Sequence, residues 1–353
     1  MGMRPKSELI RKFIIGHVEY HPADIPKLTA EAFGITRQAV HRHLRILIED
    51  DILEATGSTR NRIYQLKTFC WSSTLELSSH GDEDKVYRDY IQPHLDGLKA
   101  NVLKICYYVF TEMFNNSIDH SDGERALVTV QRTAKSTTLV IEDSGVGIFD
   151  KIKKATGLAD HRYVILELSK GKLTTDPDRH TGQGIFFTSR MCDRFVVVAN
   201  GLLFGHLEDF QDWFIEHQPE PGIGTRISLT VENDTMRTSR EIFDKFSDLE
   251  SGDYEFSKTH VPLMLAKYGT DGLISRSAAK RVLARFDLFK EIFLDFAGVD
   301  SIGHSFADEI FRVFPLHNPG IDILVVGANE VVTGEINRAK RGVKGAESPK
   351  LES

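Results

Sequence analysis

Polar side chains that could bind a metal ion or activate a hydroxyl group crowd the end of one apolar helix. In the stretch 111-TEMFNNSIDHS-121, Glu112, Asn116 and Asp119 have helical spacing and can share one face. A carboxylate and a carboxamide aimed together suit a hard cation such as Mg²⁺, or a water or hydroxyl polarised near one. A solvated helix end would account for the same residues, so this cluster is a weak signal by itself.

Two glycine-rich loops follow this helix. The first, 143-DSGVGI-148, begins with an acidic residue at the end of a predicted strand, and its two glycines allow a sharp turn close to a planar ligand. The second, 180-HTGQGIFFTSR-190, places two glycines directly before an amphipathic helix, whose free N–H groups favour a bound phosphate. The ordered set is far more specific than any one of its parts.

The helical Glu-x-x-x-Asn, the Asp-x-Gly-x-Gly loop and the later Gly-x-Gly together resemble the Bergerat-fold (GHKL) ATPases, which include gyrase-type topoisomerases, heat-shock chaperones, histidine kinases and mismatch-repair ATPases. The resemblance covers residues 96 to 232 and implies ATP and Mg²⁺ as cofactors. By matching position it assigns Asn116 to Mg²⁺ and Asp143 to the adenine amino group. It also assigns Gly145 and Gly147 to the adenine pocket, Thr225 to a place beside the adenine, and Gly182 and Gly184 to the phosphates.

The resemblance also implies a reaction class. Glu112 lies where hydrolases and protein-serine kinases of this group keep a general base, a position that histidine kinases commonly fill with a residue unable to take a proton. The segment between the two loops is expected to be a mobile ATP lid, with Lys170, Lys172 and Arg179 as cations for the phosphates. A lone histidine after a helix, His120, is expected to be a cap or a surface residue.

The first part of the chain has the pattern of a DNA-binding domain. Gly34 interrupts one predicted helix and Thr36 can cap the next. The stretch 36-TRQAVHRHLRILIEDDIL-53 resembles the recognition helix of winged helix-turn-helix repressors, and 57-GSTRNRIY-64 resembles their wing. DNA is therefore an expected partner of residues 36–64. The side chains placed to contact it are Arg37, Gln38, His41 and Arg42 in the helix, and Arg60 and Arg62 in the wing.

The charge of this part is only modestly favourable for DNA. Residues 1–67 carry 11 Lys and Arg against 8 Asp and Glu, within a chain of net charge −7. Weak or dimer-dependent DNA binding fits that balance. The alternative is a winged helix used only for protein contacts or dimerisation.

The run 291-EIFLDFAGVDSIGHSFADEIFRVF-314 resembles the STAS-like domains related to anti-sigma-factor antagonists, in which a strand ending in Asp leads through a loop to a helix. In those antagonists a serine at the start of the helix is phosphorylated by a Bergerat-fold kinase, and Ser305 is the matching position. A Gly-His-Ser-Phe context replaces the usual Asp-Ser-Ser-Gly here. We favour a structural role in which Ser305 and Asp308 form an N-terminal capping box, although both roles can coexist.

The length and composition of the chain limit the number of domains it can form. With 353 residues, 41% hydrophobic and 27% charged, the chain has the size and composition of two or three ordinary domains. We predict a multidomain α+β and α/β protein. Its predicted parts are a winged helix-turn-helix (1–67), a connector (68–95), a Bergerat α/β sandwich (96–235), a STAS-like α/β domain (252–340) and a disordered tail (341–353).

Cysteine spacing and hydropathy indicate the cellular compartment. The three cysteines are far apart and form no CxxC, so neither a disulfide framework nor a zinc site is expected. No apolar run approaches the roughly 20 residues that cross a bilayer, and the start of the chain lacks the apolar core of a signal peptide. We therefore expect a cytoplasmic protein that does not enter a membrane.

These patterns predict a DNA-binding transcriptional regulator with an ATP- and Mg²⁺-dependent switch module and a tethered STAS-like domain that docks on it. A homodimer is expected, because two-fold dimers usually read DNA half-sites. The alternative is a serine protein kinase of the anti-sigma-factor type, acting on Ser305 or on an external STAS-type or sigma-regulatory partner. Weak ATP hydrolysis, phosphoryl transfer and nucleotide binding without turnover all remain open from the sequence.

Overall fold

Mixed α/β architecture with several sheets characterises the chain, as expected for a multidomain α+β protein. The computed structural model describes residues 5–58, 61–79, 82–174, 181–207, 212–218, 222–248, 255–267 and 272–341. In these ranges the strands form one sheet of two strands, one of three and one of seven. None of the helices in the same ranges is long and apolar enough to cross a membrane. Of the predicted disordered tail (341–353), Arg341 is the last residue of a helix, and residues 342–353 lie outside the described residues.

Three helices and a hairpin form the N-terminal domain. They are α1 (Pro5–His17), α2 (Ile25–Phe33), α3 (Arg37–Glu49), β1 (Leu53–Thr56) and β2 (Ile63–Leu66). As expected, Gly34 ends α2 in the left-handed region (φ 60°), and the Thr36 hydroxyl caps α3 by accepting a hydrogen bond from the Ala39 amide at 3.2 Å. On α3 the buried residues Val40, Leu44 and Leu47 recur at helical spacing and face a small core of this domain alone.

An antiparallel seven-stranded sheet is the centre of the molecule, with strand order β3-β4-β5-β9-β6-β7-β8. Its strands are β3 (Phe69–Glu76), β4 (Arg125–Arg132), β5 (Ser136–Asp143), β6 (Arg194–Ala199), β7 (Leu202–Leu207), β8 (Asp212–His217) and β9 (Thr225–Glu232). The segment 68–95, expected to be a connector, is therefore part of this domain, because β3 pairs with β4 along its whole length.

Helices of the central domain cover the sheet. They are α4 (Glu83–Val86), α5 (Ala100–His120), α6 (Ile148–Thr156), α7 (His161–Lys170), α8 (Gly184–Met191) and α9 (Ser239–Phe246). The long α5 buries an apolar stripe that includes Val102, Ile105, Val109 and Phe110. Because this stripe is held against the core, the polar residues near the end of α5 keep a fixed position.

A parallel three-stranded sheet with order β10-β11-β12 forms the C-terminal domain. Its elements are β10 (Lys258–Pro262), α10 (Arg276–Leu283), β11 (Glu291–Asp295), α11 (His304–Asp308), α12 (Phe314–His317), β12 (Asp322–Val326) and α13 (Glu330–Arg341). The capping box expected from Ser305 and Asp308 is wrong. Gly303 is the N-cap of α11, which has no side-chain cap, so Ser305 is an exposed residue within the helix.

One continuous apolar core joins the central and C-terminal domains, whereas the N-terminal core is separate. At the junction the ring centroids of Phe186 and Phe256 lie 4.7 Å apart, and those of Phe256 and Phe289 lie 5.5 Å apart. The C-terminal domain therefore packs against the central domain through a shared core, which is more extensive than the docking contact of a tethered domain that we expected from the sequence.

Candidate functional site

A cavity of about 300 Å³ lies between the end of α5, the two glycine loops and the start of β9. This volume is at the lower end of the range for small-molecule sites. Six of the residues predicted from the sequence line it: Glu112, Asn116, Asp143, Gly182, Gly184 and Thr225. The structure thus brings together side chains separated by more than 100 positions in the chain.

Asp143 has the most constrained carboxylate of the cavity. It ends β5 and is 5% exposed. Its Oδ1 accepts hydrogen bonds from the amides of Gly145 at 2.9 Å and Thr225 at 3.1 Å, and Oδ2 accepts from the Ser117 hydroxyl at 3.5 Å. Burial raises the pKa of Asp143, and these hydrogen bonds, together with one from the Thr225 hydroxyl, oppose the shift. The carboxylate is therefore held in one orientation by its neighbours.

Thr225 joins the first glycine loop to β9. Its buried hydroxyl accepts a hydrogen bond from the Ile148 amide at 2.9 Å, while its own amide donates to Asp143. Gly147, with φ 85°, is the N-cap of α6. Gly145 and Gly147 shape this turn but are not among the residues that line the cavity. They belong to the loop that orients Asp143, and their place beside an adenine stays a prediction.

Glu112 faces the start of α8 across the cavity. A β-carbon at Gly184, the first residue of α8, would stand 2.4 Å from Glu112 Oε2, so any side chain there would collide with the carboxylate. A side chain at this position would therefore displace the Glu112 carboxylate. The arrangement puts a carboxylate beside the N–H groups at a helix start, where the helix dipole favours negative charge.

The end of α5 contributes more residues than the helical spacing alone predicted. Asn115 and His120 line the cavity together with Asn116, although neither was assigned to it from the sequence. Asp119, which was grouped with Glu112 and Asn116, is exposed and is not a lining residue. The wall therefore spans a wider arc of the helix than one i, i+4, i+7 stripe.

Lys170 is placed away from the cavity, in contrast to the sequence prediction. Its side chain is completely buried, and its ammonium group pairs with Glu167 at 2.5 Å. It also donates to the carbonyl oxygens of Ala284 at 3.0 Å and Arg281 at 3.3 Å, at the end of α10 in the C-terminal domain. Burial, partly offset by Glu167, lowers the pKa of Lys170 to about 8.

Lys172 has a similar position. Its ammonium group donates to the Leu288 carbonyl at 2.8 Å and lies 5.1 Å from the centroid of the Phe289 ring. Both lysines therefore serve the contact with the C-terminal domain instead of the expected phosphates. The third predicted cation, Arg179, lies outside the described residues.

Lys151 is a lining cation that the sequence analysis missed. It lies on α6, and its ammonium group pairs with Asp122 at 2.5 Å. Its position one turn after Gly147 could have drawn attention to it, because i and i+4 share a helical face.

Aliphatic side chains also line the cavity. They are Ile148, Ile152, Leu168, Leu173, Ile185 and Ile227. No group of three or more His, Cys, Asp or Glu residues able to hold a metal ion occurs within the described ranges.

A second candidate surface lies on α3 and the hairpin. Arg37, Gln38, His41, Arg42 and Arg62 are all exposed. The Tyr64 hydroxyl of β2 lies 3.4 Å from His41 Nδ1, and the Arg62 guanidinium lies 5.5 Å from the centroid of the Tyr64 ring. Tyr64 therefore links the exposed face of α3 to the hairpin. Arg60 lies outside the described residues.

Comparison with protein families identifies part of the C-terminal domain. A family model described as a STAS-like domain of unknown function (DUF4325) matches residues 278–333. The match runs from α10 to α13 and includes Ser305, so the predicted STAS-like character of this domain is confirmed. No curated protein matches the chain.

Proposed function

We propose that the central domain is a Bergerat-type module that binds ATP with Mg²⁺, and that the chain is a nucleotide-dependent regulator with a DNA-binding winged helix at its N-terminus. One observation carries the proposal. The buried Asp143 carboxylate, oriented by the amides of Gly145 and Thr225, lies in the same cavity as Glu112, Asn116 and the start of α8.

Adenine recognition falls to Asp143 in this proposal. Oδ2, which accepts a long hydrogen bond from the Ser117 hydroxyl, has a further lone pair for an exocyclic amino group. The aliphatic side chains that line the cavity suit contact with the apolar faces of a purine. A carboxylate that is buried and already partly satisfied discriminates strongly against a ligand without the donor.

Phosphate and metal recognition falls to the other end of the cavity. The amides at the start of α8 and the Lys151 ammonium group supply positive potential, and Asn116 supplies an oxygen ligand for Mg²⁺. Glu112 is placed to take a proton from water or from a serine hydroxyl. With water as the acceptor of the phosphoryl group, the module is a slow ATPase that acts as a switch.

The serine-kinase alternative has one observation in its favour, the STAS-like match that includes Ser305. Ser305 is exposed but is not among the residues that line the cavity. Transfer to it would therefore require a second molecule or a rearranged chain, and we favour the switch. Mass spectrometry after incubation with Mg-ATP separates the two, because a phosphorylated Ser305 supports the kinase and free phosphate without labelled protein supports the ATPase.

DNA binding by the N-terminal domain is supported by the exposed basic face of α3 and its link through Tyr64 to the hairpin. This geometry presents α3 to a major groove and Arg62 to the backbone or minor groove. A homodimer would present two such faces to two half-sites.

Asp143→Asn tests the nucleotide site. The substitution keeps the size of the side chain but replaces half of the acceptor by a donor, so it should weaken ATP binding by about 10- to 100-fold. The measurement is isothermal titration calorimetry with ATP and ADP in the presence of Mg²⁺. Asp244→Asn, on α9, is the matched control and should bind like the wild type, because Asp244 pairs only with Arg240 in the described structure. Absence of binding by folded wild-type protein at millimolar nucleotide would overturn the proposal.

A further inference from the structure

Arg285 belongs to the C-terminal domain, but its side chain is bound to the central domain. Its Nε donates to the Glu167 carboxylate at 2.7 Å, and its Nη1 donates to the Lys172 carbonyl at 2.9 Å. Its Nη2 donates to the carbonyls of Glu167 at 3.1 Å and Gly171 at 3.2 Å. The planar guanidinium group thus fixes the last turn of α7 and the residues that follow it, which a single ammonium group could not do.

The segment that Arg285 holds runs directly into the cavity. Gly171 and Lys172 precede Leu173 and Thr174, which line the wall. Leu173 also lies against the second glycine loop, because a β-carbon at Gly182 would stand 2.5 Å from the Leu173 amide nitrogen. The position of Leu173 therefore affects the wall and the second glycine loop together.

Arg190 makes another link between the cavity and the C-terminal domain. It lies in α8, the helix whose first residue, Gly184, lines the cavity. Its Nη2 donates to the carbonyls of Ser169 at 3.2 Å and His260 at 2.9 Å, and His260 belongs to β10. Thus α7 and α8, which both reach the cavity, are both fastened to the C-terminal domain.

We propose that Arg285 is a positioning residue for the nucleotide pocket, and that through it the C-terminal domain and the pocket are energetically coupled. The proposal rests on the nucleotide-binding function proposed above and adds its regulation. A change in the C-terminal domain that moves residues 281–288 also moves the backbone of residues 171–174. By thermodynamic reciprocity, a nucleotide held against Leu173 and Thr174 must in turn favour one arrangement of the C-terminal domain.

Nucleotide affinity tests the coupling in the full-length chain. ATP and ADP are titrated with Mg²⁺ into the wild type, Arg285→Gln, Arg285→Lys and the control Arg276→Gln. Arg276 is in the same domain, but its ion pairs with Asp308 and Glu309 stay within that domain. We expect about tenfold weaker binding for Arg285→Gln, within the usual range of coupling energies, and wild-type binding for Arg276→Gln. Arg285→Lys should fall between them, because lysine keeps the charge but not the fork of donors.

Amide hydrogen exchange supplies a measurement that does not require nucleotide. Without nucleotide, Arg285→Gln should raise exchange at residues 171–174, and Arg276→Gln should not. With ATP, wild-type protein should show slower exchange at residues 281–288, and this protection should be lost in Arg285→Gln.

The outcomes separate this proposal from the nucleotide site on which it depends. Wild-type affinity and wild-type exchange in folded Arg285→Gln would overturn the coupling and leave the nucleotide site standing. Failure of the wild type to bind nucleotide would overturn the site itself, and the coupling with it. If Arg285→Gln does not fold, Arg285→Lys takes its place. Wild-type nucleotide affinity and wild-type amide exchange in Arg285→Lys would then overturn the coupling.

Discussion

The two ends of the chain are joined to the central domain in different ways. The N-terminal domain has its own core and meets the central domain through exposed or half-buried polar groups, such as Lys135 with Glu19 at 3.2 Å and Lys12 with Asp234 at 3.7 Å. The C-terminal domain shares a core with the central domain, and its Arg285 pairs with the buried Glu167 of α7 at 2.7 Å. Exposed ion pairs contribute little free energy, whereas shared apolar burial contributes much.

This difference indicates a division of roles. Domains with separate cores change their relative arrangement at low free-energy cost. A shared core instead makes two domains unfold together and transmits small displacements between them. We therefore treat the central and C-terminal domains as one joint unit. In the function proposed above, this unit senses nucleotide and repositions the N-terminal domain.

Lys170→Met gives the largest expected effect. Removing one partner of a buried ion pair usually costs about 3–5 kcal/mol, and the low end applies here because Glu167 keeps Arg285 as a partner. Differential scanning calorimetry should show the joint transition of the central and C-terminal domains lowered and the N-terminal transition unchanged. Lys104→Met is the control, because Lys104 is exposed on the same unit. A shift of both transitions by the same amount would contradict the difference in how the two ends of the chain are joined to the central domain.

The second-largest effect should come from acid. Protonation of His206 should destabilise the joint unit of the central and C-terminal domains. The ring is 4% exposed and stacks on Trp213 with centroids 4.4 Å apart, and burial together with the Arg190 charge lowers the pKa of His206 to about 4. The unfolded chain takes up this proton near pH 6.5 and the folded chain only near pH 4. The stability that the folded chain gains from keeping His206 neutral is therefore fully present above pH 6.5. As the pH falls towards 4 this stability is lost, which lowers the free energy of unfolding by at most about 3 kcal/mol.

Chemical denaturation of the joint unit at several pH values between 7 and 4 measures this loss. His206→Phe keeps an aromatic ring against Trp213 but removes the titrating group. Its free energy of unfolding should therefore depend less steeply on pH in that window than that of the wild type. Equal slopes would show that His206 does not titrate differently in the folded and unfolded chains.

Local patterns predicted the cavity well, because each motif carries its own geometry. The Asp-x-Gly-x-Gly loop oriented Asp143, and the start of α8 brought Gly184 to Glu112. Thr36 was found as a helix cap for the same reason. The N-cap of α11 was predicted two residues too late, at Ser305, since Gly303 takes the extended N-cap conformation and α11 begins at His304.

Long-range contacts could not be predicted in this way. Lys170 was placed near phosphate from its position between the two loops, but its carbonyl partners lie 111 and 114 residues further along the chain. Strand β3 was overlooked because most of its residues are exposed, so its sequence has little apolar alternation and resembles a connector. Both errors concern contacts that only the tertiary fold creates.

Lys135→Ala should have the smallest effect, and it tests the other end of the chain. Lys135 pairs with Glu19 of the N-terminal domain at 3.2 Å and lies 5.2 Å from the centroid of the Tyr20 ring. Because Glu19 is exposed, a double-mutant cycle of Lys135→Ala with Glu19→Gln should give a coupling free energy below about 1 kcal/mol. Denaturant unfolding of the four proteins measures it. A coupling above about 2 kcal/mol would instead mean that the N-terminal domain is held as firmly as the C-terminal one, and that it cannot be repositioned at low cost.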